Sequence, residues 1–168
     1  TNQPADSMSR IYRPQRQRVI TQQGVTFSNV VTKFDGYARP VAWSKASSLG
    51  HTRTESTLYH DRTDLWILGQ VEKHTIAGVL AWQTEFDPGT ALPTARYAFG
   101  QPIGRYRFNA NGTLLSVTDA LAHTTVFSNY KRGLAQRIDY ADSTFISGVV
   151  NNLGLLDSVT NEAGTTWT

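Results

Sequence analysis

The sequence predicts an all-β fold: an array of short antiparallel β-hairpins forming a curved, twisted sheet. Three observations predict it. Apolar and polar residues alternate with a period of two, which is the pattern of a half-buried strand. Turn-forming residues recur at short, even intervals along the sequence. No long window carries the 3.6-residue periodicity of an amphipathic helix.

The alternation is clearest in three places. "LAWQTEF" sets Leu80, Trp82, Thr84 and Phe86 against Ala81, Gln83 and Glu85. "RYRF" puts Tyr106 and Phe108 opposite Arg105 and Arg107, and "RIDY" puts Ile138 and Tyr140 opposite Arg137 and Asp139. Between such runs stand Ala77-Gly78, Asp87-Pro88-Gly89, Gly100-Gln101-Pro102, Asn111-Gly112, Arg132-Gly133 and Asn152-Leu153-Gly154. Asn111-Gly112 predicts a two-residue type I′ turn, because both residues tolerate positive φ. The segment 60–65, "HDRTDL", reads as a loop between strands.

Bulk properties narrow the class further. At 168 residues the protein has the size of one domain, and a globule of that size buries roughly 70% of its unfolded surface. A 39% hydrophobic content with 17% charged residues is too apolar for disorder, and no apolar run is long enough for a membrane span. The absence of cysteine excludes a disulfide framework and thiolate metal ligation. The net charge of +3 sits entirely in the first residues, where Arg10, Arg13, Arg16 and Arg18 face only Asp6. Residues 1–18 therefore read as a basic tail or linker and residues 19–168 as the β-sheet segment. A basic tail is more often solvated than bound to nucleic acid, and the charge-balanced body offers no phosphate-tracking face.

One stretch recurs. "FDGYARPVAW" from Phe34, "FNANGTLLSV" from Phe108 and "VNNLGLLDSV" from Val150 align without gaps. Asp35, Asn109 and Asn151 follow the starts, then Ala38, Gly112 and Gly154, then Pro40, Leu114 and Leu156, then Trp43, Val117 and Val159. Arg39 and Asp119 belong to the same pattern. The copies run on as "LGHT" (49–52), "LAHT" (121–124) and "EAGT" (162–165), and a degenerate fourth start lies at Tyr130-Lys131-Arg132-Gly133. In each copy the aromatic or apolar residue packs on the sheet, Asp or Asn accepts backbone hydrogen bonds, and glycine takes a left-handed position. Leucine and valine three apart do not share one face of a flat strand, which predicts a bulge or strong local twist between them. A motif that repeats is a unit of construction, and a lone hairpin must stack on neighbours to bury its face.

This pattern resembles the YD repeat of the Rhs/YD-repeat family, with "FDGYAR" similar to its Tyr-Asp-x-x-Gly-Arg signature. "TESTLYHDRTDLWILGQV" (54–71) is similar to an interior segment of bacterial Rhs proteins. The resemblance implies a stretch of shell wall that is part of a larger protein. Its partners would be flanking repeats of the same polypeptide and an enclosed C-terminal toxin domain. It implies a secreted or cell-surface bacterial location. A second implied reading is a cell-surface module that binds carbohydrate or partner cells. A severed array would leave edges and an apolar face open, so the isolated segment is expected to be an incomplete arc of sheet, marginally stable or self-associating.

Sites for chemistry are few. His51 and His123 fall at the same place in the repeat and read as turn residues. His60 with Asp61 and Asp64 has the residue types for metal or acid–base work, but a polar run of this kind is more often a hydrogen-bonded turn. His74 reads as an exposed strand residue. Glu85 and Asp87 share a strand face by default, and Asp87-Pro88-Gly89 reads as a tight turn. Asn111-Gly112-Thr113 matches a glycosylation sequon that the turn already explains. No nucleophile elbow or phosphate-binding glycine loop occurs. The expectation is a protein without catalysis, cofactor or metal. Trp43, Trp66 and Trp82 are the candidate stacking platforms for a ligand, weighed against a lining role.

Overall fold

The computed structural model describes residues 14–168; the arginines at 10 and 13 and the rest of the basic tail up to 13 lie outside the described residues. Fourteen strands form a meander in which the order in the sheet follows the order in the sequence. They are β1 (Gln17–Gln22), β2 (Val25–Phe34), β3 (Pro40–Ser47), β4 (Thr52–Arg62), β5 (Ile67–Ile76), β6 (Val79–Phe86) and β7 (Pro93–Ala98). They continue as β8 (Gln101–Phe108), β9 (Leu114–Asp119), β10 (Thr124–Lys131), β11 (Leu134–Asp139), β12 (Phe145–Val150), β13 (Leu156–Thr160) and β14 (Thr166–Trp167). One 3-10 turn at Thr63–Leu65 is the only helical element among the described residues. The all-β array of antiparallel hairpins is present as expected. β1 begins at Gln17, so the last residues of the stretch read as a tail are already strand.

Two compact units make up the fold. The first runs through Gln83 and includes Ala98–Gly100; the second comprises Thr84–Tyr97 and Gln101–Thr168. Neither has a thick core. In the first, Val31, Ala38 and Ala81 are the buried apolar residues; in the second they are Ala91, Ala95 and Val150. Many large apolar side chains stay open to solvent, among them Phe27, Leu49, Trp66, Leu121 and Leu153. Stability must therefore come mostly from ladder hydrogen bonds and cross-strand pairs rather than from deep burial.

Turn chemistry sets the register. Gln23-Gly24, Ala77-Gly78, Phe99-Gly100 and Arg132-Gly133 each carry two successive positive φ angles, as a two-residue type I′ hairpin demands. Phe99-Gly100 replaces the turn expected at 100–102, since Gln101 and Pro102 already belong to β8. The degenerate fourth repeat start also ends in such a two-residue turn, at Arg132-Gly133. Asn111-Gly112 does not. Only Gly112 there has positive φ, because a three-residue loop takes the place of the expected type I′ turn.

Of the bulge or strong twist expected between the leucine and valine places of the repeat, a bulge is found at one equivalent place in all three copies, including the first, where Pro40 and Trp43 stand there. Phe108 pairs with Leu114 but Arg107 pairs with Ser116, which leaves Leu115 over. Val150 pairs with Leu156 while Val149 pairs with Ser158, leaving Asp157. Phe34 pairs with Pro40 while Lys33 pairs with Ala42, leaving Val41. The extra residue lets positions three apart serve one packing surface.

Candidate functional site

The unit that recurs is a loop of five residues, and its hydrogen bonds explain the sequence motif. Among the described residues seven such loops start at Asp35, Ser47, Asn109, Asp119, Tyr140, Asn151 and Asn161. In each the first residue's N–H donates to the fifth carbonyl at 2.8–3.0 Å, and the fourth N–H donates to the first carbonyl at 2.9–3.2 Å. The fourth residue is left-handed throughout: Ala38, Gly50, Gly112, Ala122, Ser143, Gly154 and Gly164. This is a type I turn closed by a left-handed bulge residue, the usual three-residue hairpin connection.

Two kinds of capping complete the loop. Asp35, Asp119, Asn151 and Asn161 each turn one Oδ1 inward to accept from the third and fifth amides. For Asp35 these are Tyr37 N–H and Arg39 N–H, both at 2.9 Å. For Asn151 they are Leu153 N–H and Leu155 N–H, at 2.9 and 3.0 Å. The Asn109 loop works differently and corrects the expected role of that residue. Its side chain donates to Thr113 Oγ1 at 2.8 Å, and the third residue, Asn111, accepts from Thr113 N–H and Oγ1 at 3.1 and 2.7 Å. The Tyr140 loop repeats this scheme, with Asp142 accepting from Thr144 N–H and Oγ1 at 3.0 and 2.7 Å. An Asn or Asp at the third place followed by threonine at the fifth is the signature of the second scheme.

His51 and His123 both stand at the fifth place of their loops and supply its carbonyl. His123 also lies 3.1 Å from the exposed Asp119 carboxylate. The Asp119 carboxyl is held below its usual range, first by the His123 amide. Phe34, Phe108 and Val150 end their strands before the loops, and Leu114, Leu156, Val117 and Val159 lie on the returning strands.

In the first unit a loop of the repeat meets the 54–71 segment. Arg39 donates from Nε to Asp35 Oδ2 at 2.7 Å, and from Nη1 and Nη2 to both oxygens of Asp61 at 2.9 and 2.6 Å. Asp61 also accepts from Gly69 N–H at 2.8 Å. The guanidinium lies over Tyr59 at 4.3 Å and over Tyr37 at 4.8 Å. Three charges with bidentate geometry and two aromatic faces make a strong clasp. Arg39 draws the Asp61 carboxyl below its usual range, and the two carboxylates, Asp61 first, push the guanidinium up. Gly69 is required by its backbone, whose φ of +82° disfavours any L side chain.

This geometry corrects the reading of 60–65 as a loop. His60, Asp61 and Arg62 extend β4, with His60 opposite Gln70 and Arg62 opposite Ile67 on β5. Polar residues can prolong a strand when each side chain finds a partner across it. Asp61 is occupied by Arg39 and Gly69, and Asp64 by Arg62 at 2.8 Å. No group of three or more histidine or acidic side chains suited to a metal occurs among the described residues.

A second charged cluster lies in the first unit. Glu55 is buried and accepts from Lys45 Nζ at 2.8 Å, with Arg53 at 2.7 Å and His74 at 3.9 Å. Burial raises its carboxyl, but Lys45 and Arg53 overcome that and leave it below the usual range. His74 is not the exposed strand residue expected. Its side chain is 22% exposed, shares a hydrogen bond with Thr57 at 2.9 Å, and meets Trp43 edge-on at 6.3 Å. Strand alternation identifies its face but not the neighbouring strand that covers it.

Two of the candidate stacking residues flank one histidine, since Trp82 on β6 is the cross-strand partner of His74 on β5 and Trp43 meets the same ring, while Trp66 stands apart on the 3-10 turn. Trp43 is half-buried against His74, Trp82 packs on Phe99 at 6.2 Å, and Trp66 is 86% exposed at the end of the 3-10 turn. Asp87 caps its own loop, accepting from Gly89 N–H, Thr90 N–H and Thr90 Oγ1 at 2.8–3.0 Å. No described helix is long and apolar enough to cross a membrane.

No protein-family model matches the sequence, and no curated protein does. Among solved structures it is similar to one molecule in the crystal structure of TcdB2-TccC3-Cdc42. That likeness has 11% sequence identity and a TM-score of 0.46, and it covers 86% of this protein and 11% of the other.

Proposed function

We propose that this protein is a non-catalytic structural segment of an Rhs/YD-repeat shell, a length of wall that encloses or delivers a C-terminal toxin. The observation that carries the reading is the recurrence of one device: aromatic or apolar residue, capped five-residue loop, then a bulge at the same offset. Repetition of backbone geometry with varied side chains serves construction, whereas a catalytic constellation is needed once. A second observation supports it. "FDGYAR" and "YHDRTDLWILGQV", the two stretches behind the family resemblance, meet in the Arg39–Asp61 clasp. The many exposed apolar side chains fit a wall that other parts of a larger protein cover.

Under this reading the partners are flanking repeats and the enclosed domain, and the location is secreted or cell-surface. The alternative, a carbohydrate-binding module, needs exposed tryptophans gathered beside polar groups; Trp43 and Trp82 flank His74, but Trp43 is half-buried and Trp82 packs on Phe99, while the most exposed, Trp66, stands apart from them. The test is direct imaging of the full-length protein by electron microscopy. A hollow β-shell with these residues in its wall is the expected result. A separate domain standing outside any shell, or hydrolytic activity abolished by His60→Ala, would overturn the proposal.

A further inference from the structure

Asn111 precedes Gly112 in the only Asn-Gly pair of the sequence, at the third place of an exposed loop. Its Oδ1 accepts two hydrogen bonds from Thr113, at 3.1 and 2.7 Å, which polarise the amide carbonyl and make Cγ a better electrophile. The next residue has no side chain, and nothing lies within 4 Å of where a Cβ would stand, so nothing hinders approach of the Gly112 nitrogen. We propose that Asn111 is a self-modifying site, converting by spontaneous deamidation through a cyclic imide.

The step balances without any group the protein must borrow. The Gly112 backbone nitrogen gives its proton to solvent base and bonds to Asn111 Cγ. The Cγ–Nδ2 bond breaks and ammonia leaves into water. Solvent water then opens the ring at either carbonyl, giving aspartate or, with the backbone routed through Cγ, isoaspartate. Gly112 N–H is donated to the Asn109 carbonyl at 2.9 Å, so the reaction draws on moments when the loop opens.

Two other loops set the contrast. Asp35-Gly36 has the same following glycine, yet its side chain is a carboxylate engaged by Tyr37 N–H, Arg39 N–H and the Arg39 guanidinium. An anionic carboxylate is a poor electrophile, so imide formation there is far slower. The Tyr140 loop already holds an aspartate at the place equivalent to Asn111. Asp142 makes the same two bonds to Thr144 that Asn111 makes to Thr113. The α-aspartyl product is therefore compatible with the fold, whereas isoaspartate adds a backbone atom to a loop whose closure is fixed by two hydrogen bonds.

The full-length protein would be incubated at neutral and mildly alkaline pH, then analysed by peptide mapping and enzymatic labelling of isoaspartate. The expected result is acid and isoaspartate at position 111 ahead of every other asparagine, faster at higher pH, with one added negative charge per molecule. Equal or faster conversion at Asn151 or Asn152, or no conversion at 111, would overturn it. Asn111→Asp should match the parent in unfolding midpoint and gain label at 111 far more slowly, because Asp-Gly reaches the imide only through a protonated carboxyl that loses water; a large loss of stability would overturn the claim that the fold tolerates the α-aspartyl product.

Discussion

The two units hold similar strands together by different means. The first carries ion clusters that reach across strands: Arg39 with Asp61, 22 residues apart, and Glu55 with Lys45, 10 residues apart. The second carries five of the seven five-residue loops, those starting at Asn109, Asp119, Tyr140, Asn151 and Asn161, each closed by its own backbone hydrogen bonds. Its ion pairs, His123–Asp119 and Arg137–Asp139, join near neighbours in sequence. Local closure suffices where every connection is a short loop. In the first unit β4 and β5 are joined by the 3-10 turn instead, and the clasp supplies what that connection lacks.

The largest effect should come from breaking the clasp. Arg39→Ala leaves Asp35 and Asp61 half-buried without their cation. Fully buried broken pairs cost about 3–5 kcal/mol, and with about one fifth of these side chains exposed the expected loss is about 2–3 kcal/mol. Urea unfolding of the variant checks it. The loss should also depend on pH. The Asp61 carboxyl is lowered in the folded state, so its contribution is present above the unfolded carboxylate range and fades as pH falls through the folded value. A variant as stable as the parent at neutral pH would mean that the clasp is incidental.

Glu55→Gln should come next, with a loss of about 1–2 kcal/mol, because a neutral amide cannot satisfy two cations in a buried place. The Glu55 carboxyl is also lowered, so parent and variant should differ at neutral pH and converge in acid. Unfolding midpoints measured across the acid range would show it. No such convergence is expected for changes in the second unit's glycine loops, which gives the comparison its sharpest form.

Gly112→Val probes that second unit. A β-branched residue at φ +82° meets the steric penalty of the left-handed region, about 1–2 kcal/mol, although the space around the site is open. Thermal unfolding should show this loss with little dependence on pH or salt. Salt, by contrast, should weaken the first unit's clusters where they reach solvent.

How far the sequence can be read follows the same division. The loops of the second unit are legible because their determinants lie within five residues: Asn151 caps its own loop, and Gly154 closes it. The bulge is legible because leucine and valine three apart conflict with a flat strand. The clasp is not. Asp61 lies 22 residues from Arg39, and the pairing exists only once β3 and β4 are in register. The burial of His74 escapes the sequence for the same reason, since Trp43 reaches it from a strand far away in sequence. The division of labour in the Asn109 loop is hidden too. Asparagine at the first place is equivalent to Asp35 by alignment, and only Asn111 with the threonine at 113 signals that the cap has moved to the third place.

The smallest effect separates strain from burial at one equivalent loop position. Ala38 and Ala122 both sit left-handed where glycine is the more natural residue, at φ 60° and 67°. The left-handed conformation costs an L-residue roughly 1–2 kcal/mol, while glycine costs about 0.5–1 kcal/mol in lost backbone entropy. Ala122→Gly should therefore stabilise by about 0.5–1 kcal/mol, because its methyl is exposed and nothing is lost with it. Ala38 is only 2% exposed, and removing a buried methyl costs about 0.8 kcal/mol before any cavity is counted. The two terms nearly cancel, so Ala38→Gly should leave the unfolding midpoint almost unchanged. The pair of variants, measured side by side by thermal unfolding, decides whether the alanine beside Arg39 is kept for its methyl. A clear gain at Ala38 equal to that at Ala122 would show that the methyl contributes nothing and that the clasp alone holds this loop in place.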